Sequence, residues 1–243
     1  MNIINISAYR FVDLADPVHW RDAIEASCID HQLKGTILLG FEGINIMVAG
    51  SRQGLDGFAD WLESHAEFAG MTLKESVSTF VPYSKLKVRV KNEIIAMRAE
   101  GIDPVRDPAP HLSAAEFKQW LDEHRDITIL DTRNRFEVDA GAFDNALDLN
   151  IESFRHFPKA AAEQLPNELK NKPLVMMCTG GIRCEKAAIE LHKQGFKEVY
   201  QLDGGIIQYF QECGGAHYHG NCVVFDDRIA LTPDLQPIQT IGN

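Results

Sequence analysis

The chain has 243 residues, 45% of them hydrophobic, enough to bury one large core or two small ones. It contains no apolar run of about 18 residues, which excludes a membrane-spanning helix, and Met-Asn-Ile-Ile-Asn-Ile lacks the basic start and apolar core of a secretory signal. A net charge of −11 argues against nucleic acid as a partner of the surface as a whole, and five scattered cysteines suit free thiols in a reducing cytoplasm, not a disulfide framework.

In chain order, Ile4 to Val12 reads as a strand. Asp16-Pro17 starts a helix, with Asp as the cap and Pro at the first helical position, and Trp20, Ile24 and Cys28 recur at helical spacing. Thr36–Leu39 and Ile44–Val48 read as strands joined by a hairpin-length turn, Gly40-Phe-Glu42-Gly43. Ser51 opens a second helix with Leu55, Phe58 and Leu62 on one face, and Met71–Ser78 and Leu86–Ala96 supply further strand. The order β-α-β-β-α-β predicts a ferredoxin-like domain over residues 1–98, an α+β unit.

Within it, Lys85-Leu-Lys87-Val-Arg89-Val-Lys91 alternates along a strand. Leu86, Val88 and Val90 would face the core, and Lys85, Lys87, Arg89 and Lys91 would form a basic stripe on the other face, with Arg98 as a candidate extension. Two readings stand: a dock for a polyanion, or an edge strand guarded by lysines.

Ala99 to Pro110, rich in Pro and Gly, marks a linker over 99–112. Ser113-Ala-Ala-Glu116 then gives a capping box ahead of Phe117, Trp120 and Leu121. Alternating strands and helices follow, predicting an α/β domain with a parallel sheet over 113–215 and a C-terminal extension over 216–243.

The most chemically informative segment is Leu174-Val-Met-Met-Cys178-Thr179-Gly180-Gly181-Ile182-Arg183-Cys184-Glu-Lys186. An apolar strand ends on a cysteine, a short glycine loop follows, and a helix begins at once. Loop N–H groups and Arg183 would favour a thiolate at Cys178, below the free value of ~8.5. Arg183 is the fifth residue after Cys178, one short of the spacing that wraps a tetrahedral phosphate, so the loop suits a smaller guest such as one extra sulfur. The plainer alternative is a buried strand cysteine before a tight turn. Asp131, ending the strand Ile127–Asp131, could orient the loop or merely cap its own turn.

No flavin or nicotinamide fingerprint is present, because Gly40-x-x-Gly43 and Asp203-Gly-Gly205 are turn glycines. Cys213-x3-His217-x-His219-x2-Cys222 matches no common zinc spacing, so no metal is assigned.

Cys178, Gly181 and Arg183, together with Asp131-x-Arg133-x-x-x-Glu137, Gly141-Ala-Phe143 and Val199 to Gly205, resemble the rhodanese superfamily. Over nearly the whole chain the sequence resembles a narrower group, the rhodanese-like tRNA uridine hydroxylases. That likeness rests on Tyr9-Arg-Phe-Val12, Gly35 to Leu39, Glu42-Gly-Ile-Asn45, Pro82 to Arg98, Cys178 to Lys186 and Val223 to Ala230. The resemblance implies 5-hydroxylation of the wobble uridine, molecular oxygen as co-substrate, the tRNA anticodon region as partner, and a catalytic Cys178 supported by Thr179, Gly180, Gly181, Ile182, Arg183 and Asp131. A plain sulfurtransferase, moving sulfur from a small donor through a Cys178 persulfide to a small thiol or carrier protein, is the alternative. A non-enzymatic binding module is the third reading, against which the intact Cys178–Arg183 loop argues.

Overall fold

In the computed structural model, which describes residues 2–238, the chain forms two compact units. One comprises the residues up to Ile95 with Phe225–Arg228, and the other Ala96–Val224 with the chain from Ile229.

The first unit holds β1 (Ile3–Phe11), α1 (Pro17–Asp30), β2 (Lys34–Gly40), β3 (Gly43–Gly50), α2 (Arg52–Glu63), β4 (Lys74–Ser78) and β5 (Leu86–Val90). The sheet order is β4-β1-β3-β2-β5, antiparallel except for the parallel β2–β5 pair. Period-two alternation sends Ile4, Ile6 and Ala8, Ile37 and Leu39, and Ile44, Ile46 and Val48 to one face. There they pack with Ile24 and Cys28 of α1 and Leu55, Phe58 and Leu62 of α2. Both helices start on side-chain caps: Asp16 accepts from the N–H groups of Val18 and His19, and Ser51 from that of Gly54.

The last strand is shorter than the expected Leu86–Ala96. Its ladder ends where Lys91 N–H donates to Leu39 C=O at 2.7 Å, because β2 turns away at Gly40. Beyond it, Ile94 N–H donates to Glu42 Oε1 at 2.6 Å and its C=O accepts from Asn45 Nδ2 at 3.2 Å, which draws the chain off the sheet edge. Val88 joins the core, Leu86 packs beside it, and Val90 is only half-buried.

Part of the segment read as a C-terminal extension belongs to this first unit. Arg228 is buried and donates to Asp226 through Nε at 2.8 Å and Nη2 at 2.5 Å, and to Ser76 Oγ through Nη1 at 2.6 Å. Tyr83 O–H donates to Asp226 Oδ2 at 3.1 Å, and Asp227 N–H to Pro82 C=O at the same distance.

The second unit carries β6 (His111–Leu112), α3 (Ala114–Asp122), β7 (Thr128–Asp131), α4 (Arg135–Val138), β8 (Gly141–Phe143), β9 (Leu147–Asp148), α5 (Phe157–Gln164), β10 (Leu174–Met177), α6 (Ile182–Lys193), β11 (Val199–Leu202), α7 (Gly205–Cys213), β12 (Tyr218–Gly220), β13 (Cys222–Val223), β14 (Ala230–Leu231) and β15 (Pro237–Ile238). Its main sheet, β6-β11-β10-β7-β9, is parallel throughout. β6 lies inside the segment read as linker and pairs with Gln201 and Leu202. Central β10 is buried at all four residues, as a parallel strand covered on both faces must be. α3 and α7 bury Phe117, Ile206, Tyr209 and Phe210 against Val175 and Met177, while α6 packs on β10 and β11 with α5 beside it.

Removing Arg228 would leave Asp226, whose side chain is 2% exposed, without its cation. Arg228→Ala is expected to destabilise the first unit by about 3–5 kcal/mol, the cost of stranding a buried charge. Urea unfolding checks this, and an unchanged midpoint would overturn it.

Candidate active site around Cys178

The parallel sheet delivers Cys178 at the carboxyl end of its central strand. The chain then turns through Gly181, whose φ of 97° is left-handed and suits glycine, and α6 begins at Ile182. Gly181 N–H donates to Cys178 Sγ at 3.1 Å, and the Arg183 N–H and guanidinium also reach the sulfur. A second helix closes the loop from the far side. The N–H groups of Ile206 and Ile207, in the first turn of α7, donate to the C=O groups of Cys178 and Thr179 at 3.0 and 3.1 Å. Gly205 allows this approach: a Cβ there would lie 2.4 Å from Cys178 O, and its φ of 68° is left-handed as well.

Cys178 and Cys184 are both fully buried. Burial pushes the Cys178 thiol up, but the hydrogen bond from the Cys184 thiol and the Arg183 charge outweigh it and bring Cys178 down to about 5. Cys184 moves the other way, raised by burial and by the neighbouring thiolate. Of the two sulfurs, Cys178 is the one whose surroundings favour the thiolate.

Arg183 is anchored by Glu137. Nη1 donates to Oε2 and Nη2 to Oε1, both at 2.7 Å, in a parallel fork. Glu137 is fully buried, yet Arg183 outweighs the burial and holds its carboxyl below the usual range. Thr179 Oγ1 donates to Glu137 Oε1 at 3.2 Å, and Asn134 N–H to Oε2 at 3.1 Å. The carboxylate is thus tied to both ends of the loop.

Thr179, Gly180, Gly181, Ile182 and Arg183 all lie in the loop or the first turn of α6, as the sequence placed them. Asp131 caps its own turn, its Oδ1 accepting from the Arg133 N–H at 3.0 Å. Its carboxylate receives Arg133 Nε at 2.9 Å and Nη2 at 2.6 Å, and Arg133 goes on to Gly141 C=O at 2.6 Å. The neighbour that reaches the strand end is Thr132, whose Oγ1 donates to Met177 C=O at 2.9 Å and lies 3.7 Å from Cys184 Sγ. Sequence reasoning missed Thr132, Gly205 and the role of Glu137. For Glu137 the signal was visible in the Asp131-x-Arg133-x-x-x-Glu137 string.

The other thiols differ. Cys28 lies in the first unit's core and is pushed up to about 12, first by burial and then by Glu25. Cys222 is buried against Thr179 and raised by burial to about 11. His217 faces Asp122 at 2.7 Å and His219 faces Asp144 at 3.2 Å. Among the described residues no group of three or more His, Cys, Asp or Glu side chains is arranged to hold a metal ion.

The basic stripe follows β5, the edge strand of the first unit's sheet. Lys85, Arg89 and Lys91 are exposed and Lys87 is half-buried. Among the described residues none of the four takes part in an ion pair or side-chain hydrogen bond. Many cations elsewhere are met by acids, as in Arg52–Glu75, Lys118–Asp122 and Lys172–Asp126. Arg98 does not extend the strand, which ends at Val90, and it counts with the second unit.

A parallel sheet presenting a cysteine in a short glycine loop before a helix defines the second unit as a rhodanese-type domain, and residues 113–212 match the family described as rhodanese-like domain. Residues 3–94 match the family described as UPF0176 acylphosphatase like domain. The tRNA uridine(34) hydroxylase of Cupriavidus necator is 50% identical over 242 residues, covering 98% of this chain and 86% of that one. The protein of the same name from Paraburkholderia xenovorans is 47% identical over 249 residues, covering 99% and 86%. Among solved structures, the rhodanese-like domain of an Anabaena protein is 25% identical with a TM-score of 0.39, covering 46% of this chain and 79% of that one. This chain belongs to the tRNA uridine(34) hydroxylase family. No helix among the described residues is long and apolar enough to cross a membrane.

Thiolate absorbance in the ultraviolet needs no reagent access and so suits a buried sulfur. The difference between wild type and Cys178→Ser should titrate with a midpoint near 5, thiolate above and thiol below. Cys184→Ala should move the midpoint upward, because a donor to the charged form is lost. A wild-type midpoint near the ordinary value of 9.0 would refute the assignment.

Proposed function

We propose that the protein hydroxylates the wobble uridine of tRNA at C5, with molecular oxygen as co-substrate and Cys178 as the nucleophile. The observation that carries this is the Cys178 loop, with the Gly181 N–H on the sulfur at 3.1 Å and Arg183 fixed by Glu137, a setting that favours a thiolate, in a chain of this family. A thiolate adding to C6 of the uracil ring forms a carbon–sulfur bond and places carbanion character at C5, the atom to be oxidised. Addition of oxygen there with protonation gives a C5 hydroperoxide. A two-electron reductant such as a small thiol takes its outer oxygen to water, and loss of the C5 proton with expulsion of the thiolate restores the ring as 5-hydroxyuridine. The sulfur is fully buried in the closed loop, so a ring reaches it only after the loop opens.

The anticodon region is the part of tRNA that this chemistry must meet. The stripe of Lys85, Lys87, Arg89 and Lys91 supports a phosphate contact, because four cations without acidic partners in a chain of net charge −11 leave a local positive field. Action on tRNA also argues for a cytoplasmic protein.

One observation favours a second reading. A buried sulfur in a short loop suits a guest of one atom, so Cys178 could carry a persulfide from a small sulfur donor to a thiol or carrier protein. The two readings separate by mass spectrometry of tRNA nucleosides from a deletion strain. Under the hydroxylase reading 5-hydroxyuridine falls on deletion, returns with wild type and does not return with Cys178→Ser. Full modification with Cys178→Ser would eliminate covalent catalysis, and unchanged nucleosides on deletion, with thiosulfate turnover by the purified protein, would favour the sulfurtransferase.

Docking has its own test. Lys87→Glu with Arg89→Glu should weaken tRNA binding and make its decline with salt shallower, since fewer counterions are released. Equal affinity and slope in variant and wild type, by filter binding across a salt series, would mean that the stripe only guards a sheet edge.

A further inference from the structure

The β2–β3 hairpin ends in a two-residue tip, Phe41 and Glu42, between the paired Gly40 and Gly43. Phe41 is 67% exposed, more than any other large hydrophobic side chain among the described residues. A single exposed apolar residue is ordinary. This one differs in two ways.

Its backbone is braced. Leu14 N–H donates to Phe41 C=O and Val12 N–H to Glu42 C=O, both at 3.0 Å, while Glu42 Oε1 takes Ile94 N–H at 2.6 Å. The ring is therefore presented on a fixed support, at a position where turns usually carry polar residues or glycine. It also adjoins the stripe. β2 and β5 run parallel with Leu38 opposite Arg89 and Leu39 opposite Val90, and Lys91 N–H closes on Leu39 C=O at 2.7 Å. A Cβ on Gly40 would lie 2.9 Å from Lys91 O, so the tip stands directly beside Lys91. An exposed aromatic on a rigid turn, next to cations that have no acidic partners, combines the two elements that hold single-stranded nucleic acid: a stacking face and a phosphate track.

We propose that Phe41 is a stacking platform for an unpaired base of the anticodon loop, with Lys91 and Arg89 holding the adjoining phosphates. This rests on the tRNA reading above and adds to it a selectivity for unpaired over paired RNA. A duplex offers the cations the same phosphates but keeps its base faces stacked inside. The ring contact is uncharged, so it changes affinity without changing the dependence on salt.

The full-length protein would be titrated with an anticodon stem-loop RNA and with a fully paired duplex of equal length, across a salt series. Phe41→Ala and Phe41→Leu should each weaken stem-loop binding roughly 5- to 150-fold, the range for one base–aromatic stack, with unchanged salt slope and unchanged duplex binding. Phe41→Trp should retain affinity, and its added emission should be quenched by the stem-loop but not by the duplex. Lys87→Glu with Arg89→Glu serves as the control, reducing binding to both RNAs. Wild-type stem-loop affinity in Phe41→Ala, or an equal loss towards both RNAs, would overturn the stacking role. If the charge reversal weakens binding while Phe41→Ala does not, stacking alone falls; if neither variant changes binding, the tRNA dock on β5 falls with it.

Discussion

A buried sulfur anion is tolerable only where fixed positive charge stands within reach, and the Arg183–Glu137 fork supplies that charge at a defined place. Burying an ion pair for its own sake brings little stability, because desolvation offsets the attraction. Here the pair does something an apolar substitute could not. Glu137 holds Arg183 by both nitrogens at 2.7 Å, so the guanidinium cannot leave the loop for solvent. Glu137 and the thiolate together carry two negative charges against the one of Arg183. The balance comes from oriented dipoles: the N–H groups of Gly181 and Arg183 at the start of α6, and the Cys184 thiol. Each partner has little use without the others. A free Arg183 would seek water, an unpaired Glu137 would take up a proton, and Cys178 without either would stay a thiol.

This arrangement explains the chemistry of the whole set of cysteines. Cys28, Cys184 and Cys222 are all buried, and burial is the largest cause that raises each of them. Cys178 is as buried as Cys184, yet it moves in the opposite direction. Position at the strand end, with helix N–H groups ahead and an arginine five residues on, outweighs the desolvation that governs the others.

Much of this was legible in the sequence because it is local. A fully apolar Leu174–Met177 fits a central parallel strand, and the loop and helix that follow are contiguous with it. Asp16, Ser51 and Ser113 act as helix caps because capping needs only the next three residues. Features that depend on distant partners were not readable. Glu137 meets Arg183 across 46 positions, and although it stands in the Asp131-x-Arg133-x-x-x-Glu137 string, nothing in that string points to Arg183 as its partner. For Asp131 the sequence left loop orientation and turn capping open, and Arg133 two residues on binds its carboxylate. The expected strand through Ala96 stops at Val90 because its neighbour β2 ends, a fact of pairing that β-propensity does not contain.

The acidic composition and the basic strand pose a related problem of range. At physiological ionic strength the Debye length is about 8 Å, so an approaching phosphate senses the charges nearest to it and little of the net total. Local pairing therefore matters more than the −11 of the whole chain. Many cations elsewhere in the protein stand beside carboxylates that cancel them, as Arg125 does with Glu123 and Lys193 with Glu190. Along β5 and at its two ends, Lys85, Lys87, Arg89 and Lys91 recur at every second residue, and among the described residues none of the four takes part in an ion pair. One or two lysines suffice to stop an edge strand from pairing with a second sheet. Four at alternate positions, left unpaired in an acidic protein, make a linear field with the spacing of a strand, which suits an extended polyanion better than a single small anion.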